Sequence, residues 1–140
     1  MSARPPRYED CLLREGDIVM SKVGETPRCA VIRGRAAEKL VPSSNLYIIR
    51  PVRERIDPFY IKAYLESPRA KKTLVMLSTG TAIKTISATA LKELRVPRMD
   101  HDKMMEISKR YRAAEDELRA AKMKEQEIKD KIASLFDAKE

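Results

Sequence analysis

The side chains able to do covalent or metal chemistry are few in this chain of 140 residues, which has one histidine and two cysteines. His101 stands between Asp100 and Asp102, a grouping that could hold a metal ion or move a proton. With no further ligand close in sequence it reads as an exposed residue at a helix start. Cys11 and Cys29 make no metal-type spacing. Neither has a neighbouring base, so they read as buried or incidental thiols rather than nucleophiles. Gly16 and Gly24 do not form a phosphate-cradling loop, because the P-loop and dinucleotide fingerprints are both absent. No methyltransferase-type cofactor or catalytic motif is present. The expectation is therefore no enzyme, no catalytic residue, no metal and no cofactor of its own.

The cations offer better chemistry. Lys22 and Arg28 flank a turn, Arg33 and Arg35 fall in a following connection, Lys71 and Lys72 sit on a short helix, and Lys84 lies among Thr79, Thr81 and Thr85. Lys and Arg neutralise phosphates, while hydroxyls add hydrogen bonds that fix register, and Arg can also read guanine bidentately. Lys22, Arg28, Arg33, Arg35, Lys71, Lys72, Thr81 and Lys84 are the candidate DNA contacts. The alternative is that these are ordinary solubilising charges and that the STGTAIKTIS hydroxyls (residues 78–87) only bond the backbone.

The formal charge is +8, with a sequence pI of about 9.6, which favours a polyanionic partner such as nucleic acid. Residues 1–99 hold 19 Lys and Arg against 10 Asp and Glu, a net of +9, and residues 100–140 hold 10 against 11, a net of −1. The chain divides into a basic part and a neutral tail. Trp is absent and aromatics make up 5%, so no stacking platform for single-stranded bases is evident. No apolar run reaches the roughly 18 residues that cross a bilayer. MSARPPRYED has no apolar centre and is not a secretory signal. With cysteine scarce, a cytoplasmic home is expected.

These residues must be held by elements that the sequence marks. Residues 1–10 read as a flexible lead. IVMSKV (18–23), CAVI (29–32) and LYII (46–49) read as strands, the first two joined by a turn at Gly24-Glu25-Thr26-Pro27. Residues 33–45 form a basic, irregular connection. Asp57-Pro58 and Ser67-Pro68 are helix starts, each a capping side chain followed by proline at the first helical position. They predict helices with an apolar face at Phe59, Ile61, Tyr64 and Leu65, and then from Arg69 to about Leu77. Residues 78–87 read as an ordered loop or short strand, and Ser87 caps a further turn through Leu91 and Leu94. The expected fold is α+β: a small mixed sheet with short helices in residues 11–99, then one long coiled-coil helix in residues 100–140.

From Asp102 to Phe136 there is neither glycine nor proline. With Met104 at heptad position a, the a positions are Met104, Tyr111, Leu118, Glu125 and Ile132, and the d positions are Ile107, Ala114, Ala121, Ile128 and Leu135. Every one but Glu125 is apolar, which is a coiled-coil pattern. A helix of roughly 50 Å is too long for a small domain to cover, so its stripe calls for a partner helix. Ala114 and Ala121 would let two backbones approach closely, and Glu125 could set register.

Four phrases occur in order: EGDIVMSKVGE (15–25), IDPFYIKAYLES (56–67), GTAIKTISATALKELRVP (80–97) and the long C-terminal helix. Over roughly residues 12–136 the chain resembles the target-recognition domain and following spacer helix of the specificity (S) subunit of type I restriction-modification systems. The resemblance implies a non-catalytic reader of one half of a split site in double-stranded DNA. It also implies spacer helices that pair antiparallel and dock methyltransferase subunits, with S-adenosylmethionine belonging to that methyltransferase. Two departures shape the expectation. S subunits look like two reader-plus-helix repeats, whereas this chain has one, so a homodimer through the C-terminal helix would restore the second half. Family readers also carry several tens of residues before the GDI-like strand, and only 15 residues precede Gly16. That implies a partial reader. The alternative is a shortened S-like interaction protein that binds methyltransferase or S subunits without reading DNA. A third possibility is the detached tail of a methyltransferase fusion.

Overall fold

In the computed structural model, residues 11–23, 27–35, 40–80 and 84–137 are described. Three strands, β1 (Ile18–Ser21), β2 (Cys29–Val31) and β3 (Leu46–Ile49), form one antiparallel sheet in the order β2-β1-β3. Four helices follow: α1 (Pro58–Leu65), α2 (Pro68–Leu77), α3 (Ala88–Glu93) and α4 (His101–Asp137). The fold is α+β, as the pattern of short strands and then helices predicts. The expected mixed sheet is wholly antiparallel. β2 and β3 each run antiparallel to β1, one along either edge of it.

The two-residue period of β1 sets the core. Ile18 and Met20 are fully buried, while Val19 and Ser21 are half-buried on the opposite face. Ile61 and Leu65 of α1, Leu74 of α2 and Ile86 complete a cluster around Ile18 and Met20. The proline-marked starts behave as their chemistry requires. The Asp57 carboxylate accepts from the Phe59 N–H at 2.9 Å, and the Ser67 hydroxyl accepts from the Ala70 N–H at 3.3 Å. Ser87 caps α3 through the Ala90 N–H at 3.0 Å. Between α2 and α3, Thr79 and Thr85 exchange backbone hydrogen bonds of 3.0 and 2.9 Å, so part of the hydroxyl-rich segment is a narrow bridge. The expected flexible lead, residues 1–10, lies outside the described residues.

α1 is buried on more than one face. Ile61 and Leu65 enter the core, whereas Phe59, Lys62 and Glu66 meet α4 or its approach. The first turns of α4 therefore have a partner within the chain. Met104 and Ser108 are buried, and Ile107, Tyr111 and Glu115 are half-buried. The Tyr111 hydroxyl donates to Glu66, and Lys62 pairs with Glu115. Arg33 pairs with Glu115 and Asp116 while its guanidinium lies 4.8 Å from the Phe59 ring centre, and Arg112 covers the same ring at 5.2 Å. Beyond Glu115 the described residues of α4 are all exposed. The small domain thus covers the first four turns of a 37-residue helix, and about 30 Å of it projects beyond.

Candidate nucleic-acid interface

Antiparallel pairing distributes the candidate cations over two ends of the sheet. At the Ser21 end, the Lys22 carbonyl accepts from the Ile86 N–H at 3.0 Å, and Val23 pairs with Thr85. That brings the exposed Lys84 beside Lys22. The Lys22 ammonium lies 4.7 Å from the Tyr47 ring centre. Arg28 joins this end because its N–H donates to the Ser21 hydroxyl and its carbonyl accepts from the Ser21 N–H, each at 3.0 Å. A loop rich in backbone bonds thus holds three cations at one edge.

The other end, about 15 Å away along β1, is rich in arginine. Ile18 pairs with Ile49, so the next residues outward, Asp17 and Arg50, oppose each other. Arg50 grips the buried Asp17 carboxylate with two hydrogen bonds of 2.8 Å, and Asp17 also accepts from the Arg14 N–H at 2.8 Å. This bidentate, charge-assisted pair fixes the entry to β1. An open cleft of about 660 Å³ lies beside it, lined in part by Arg14, Arg35, Arg50 and Arg53 and by Glu15 and Glu54. Gly16 forms its floor at φ +89, and an added Cβ would stand 3.0 Å from the Arg53 Nε. Glycine is needed there for both the backbone conformation and the close approach of the guanidinium.

The eight candidates therefore do not form one patch. Lys22, Arg28 and Lys84 gather at one end, and Arg35 belongs to the arginine cleft at the other. Lys72 is exposed on α2, and the half-buried Lys71 lies close enough to Cys29 for its charge to act on the thiol. Arg33 is committed to Glu115, Asp116 and Phe59, which makes it a clamp for α4 rather than an open phosphate contact. Thr81 lies outside the described residues. Arg14 and Arg53 escape a reading of the sequence, since only the pairing of β1 with β3 places them together. Their signal was the register: once Ile18 opposes Ile49, Arg14 and Arg53 flank the same end.

The groups that could react do not converge. His101 is exposed at the start of α4. Cys11 and Cys29 are free thiols, both half-buried. Burial pushes the Cys29 thiol from its ordinary 9.0 up to about 11, and the nearby Glu66 carboxylate pushes the same way. Among the described residues no three His, Cys, Asp or Glu side chains group to hold a metal, and no helix is long and apolar enough to cross a membrane.

Of the nine helix-pairing candidates, Met104, Ile107 and Tyr111 lie against the chain's own globular part. Ala114, Leu118, Ala121, Ile128, Ile132 and Leu135 are exposed. No protein-family model matches this chain, and a search of curated proteins finds no match.

Proposed function

We propose that this chain is a non-catalytic DNA-recognition subunit, or half-subunit, of a type I restriction-modification system, acting in the cytoplasm. In this reading the basic globular part meets double-stranded DNA, and the projecting half of α4 carries assembly, with a second copy or with a methyltransferase helix. The observation that carries it is the separation of charge by part: +9 over residues 1–99 against −1 over residues 100–140. Cations at the two ends of the sheet and on α2 supply it with phosphate contacts. Lys22, Arg28 and Lys84 serve it from one end, Lys72 from α2, and Arg35, joined by Arg14 and Arg53, from the cleft. Arg33 leaves the proposed set.

The second reading, an interaction protein that does not read DNA, draws support from the apolar stripe beyond Glu115 and from Arg33 being turned towards α4. Selection from a random-sequence duplex library at two salt concentrations separates the two. Enrichment of a split motif, with log affinity falling against log salt at a slope of about −6 for seven phosphate contacts, supports the reader. Unselective binding, or none, sinks it and leaves the interaction protein.

A further inference from the structure

The face of α4 that docks on α1 and the stripe that remains exposed do not coincide. At 3.6 residues per turn, Met104, Ser108, Tyr111 and Glu115 share one direction on the helix. Ala121, Glu125, Ile128, Ile132 and Leu135 centre about 100° away from it. The heptad seam drifts by about 20° per repeat on a straight helix, so the exposed stripe turns away from the internal interface, and folding α4 more tightly onto the sheet would not cover its far half. Leu118, Ile128, Ile132 and Leu135 are 56%, 60%, 50% and 65% exposed.

The charges beside this stripe are sorted. Lys122 and Lys129 follow it on one side, and Lys124 and Lys131 on the other, with Glu117 at that second edge one turn before Ala121, whereas Glu127, Asp130 and Asp137 lie with Arg119 away from it on the rest of the helix. Within the stripe, the Glu125 carboxylate pairs with Lys129 at 2.6 Å. Two copies laid together would set lysine flanks against lysine flanks, with Ala121 and Glu125 weakening the shared seam.

We propose that the projecting half of α4 docks an amphipathic helix with Asp or Glu at its flanking positions, in preference to a second copy of this chain. The inference deepens the assembly part of the function proposed above and rests on it. An acidic-flanked helix turns every lysine from a repulsive neighbour into an attractive one while burying the same apolar stripe. A lysine-bordered stripe also occurs in helices that lie on membranes. There the face turned to water is rich in Lys or Arg, whereas here that face carries Glu127, Asp130 and Asp137.

The test uses the full chain and two synthetic helical peptides with identical Leu and Ile seams, one with Glu at every flanking position and one with Lys. The Glu-flanked peptide binds roughly 30-fold more tightly at low salt, as four flanking pairs change sign, and the preference shrinks as salt rises. Joint replacement of Lys122→Glu, Lys124→Glu, Lys129→Glu and Lys131→Glu inverts the preference, while sedimentation finds the unaltered chain monomeric at micromolar concentration. Equal affinity for both peptides, binding of neither, a stable dimer formed through α4, or tighter binding to phosphatidylserine vesicles than to the Glu peptide would each overturn the inference. The salt titration needs no variant, so it stands even if the fourfold replacement disturbs the helix. DNA affinity measured on the same sample keeps the two proposals apart. Lost DNA binding with the peptide preference intact counts only against the reader.

Discussion

Cys29 is held as a neutral thiol on β2, raised from an ordinary 9.0 to about 11 by burial first and by Glu66 second. Between those values the unfolded chain binds fewer protons at this site than the folded one. Its contribution to stability is therefore complete below pH 9 and is lost as pH rises towards 11. Tyr111 acts in the same direction, because burial and its hydrogen bond to Glu66 hold the phenol protonated. The urea midpoint is expected to fall between pH 8 and about pH 10.5, and to fall less in Cys29→Ala. In a Cys11→Ser background, iodoacetamide should modify Cys29 about a hundredfold more slowly at pH 8 than the same thiol in urea, because only the thiolate attacks. Equal rates would show that the thiol is not shielded. A second residue tests the arginine end of the sheet. Asp17 is 1% exposed and receives three charged or backbone hydrogen bonds. Asp17→Ala is expected to cost about 3 kcal/mol in urea unfolding, since it strands the Arg14 N–H and takes the buried carboxylate away from Arg50. Ser108 gives the opposite sign. Its buried hydroxyl has no partner among the described residues, so Ser108→Ala should be neutral or stabilising by up to about 1 kcal/mol.

At the level of elements, the docking of α4 on α1 depends on a small set of charges with little access to water. The Lys62 side chain is 11% exposed and the Glu115 side chain 21%. Asp116 is exposed, and its hydrogen bond from Arg33 holds its carboxyl below the ordinary range. Depressed carboxyls stabilise above their unfolded value, so this contact weakens as pH falls through the folded one. Glu115→Ala takes the nearest carboxylate from Lys62 and one of two from Arg33, leaving Glu66 and Asp116 as their partners. The expected cost is about 1–2 kcal/mol, read as faster amide exchange over residues 101–115 with β1 still protected. Uniform loss of protection in β1 as well would mean that α4 and the sheet unfold as one unit. Much of this element plan was readable beforehand. Asp57-Pro58, Ser67-Pro68 and Ser87 announce α1, α2 and α3 because capping is a local matter, settled within three residues. LYII ends at Ile49, two residues short of Pro51, and so does β3. What could not be read was which helix face is spent internally. Met104 and Leu118 occupy the same heptad position and look alike in sequence. Only the reach of α1 makes one buried at 3% and the other 56% exposed. The arginine cleft was hidden for a similar reason, since Arg14 and Arg53 meet through strand pairing across a long connection.

For the whole molecule, surface area exposes the imbalance between the two parts. A compact chain of 16.0 kDa would expose about 7400 Å², whereas this one exposes 11002 Å². Beyond Glu115 the described residues of the projecting helix are all exposed, and its apolar stripe has no covering element among the described residues. Large exposed apolar surface on a rigid helix marks an interaction site. That makes Leu118 the informative position, because Leu118→Lys places a charge where the stripe begins without entering the core. The variant should keep its thermal midpoint to within about 2 °C, as surface substitutions usually change stability by less than 0.5 kcal/mol. It should nevertheless lose binding to an acidic-flanked helix by at least about tenfold, because the buried ammonium would have to be desolvated. Met104→Lys, the same change at the same heptad position two repeats earlier, should instead unfold the junction between α1 and α4. A Leu118→Lys chain that still captured its partner at full strength would place the assembly surface elsewhere. The lysine-bordered stripe would then be only a solvated helix face.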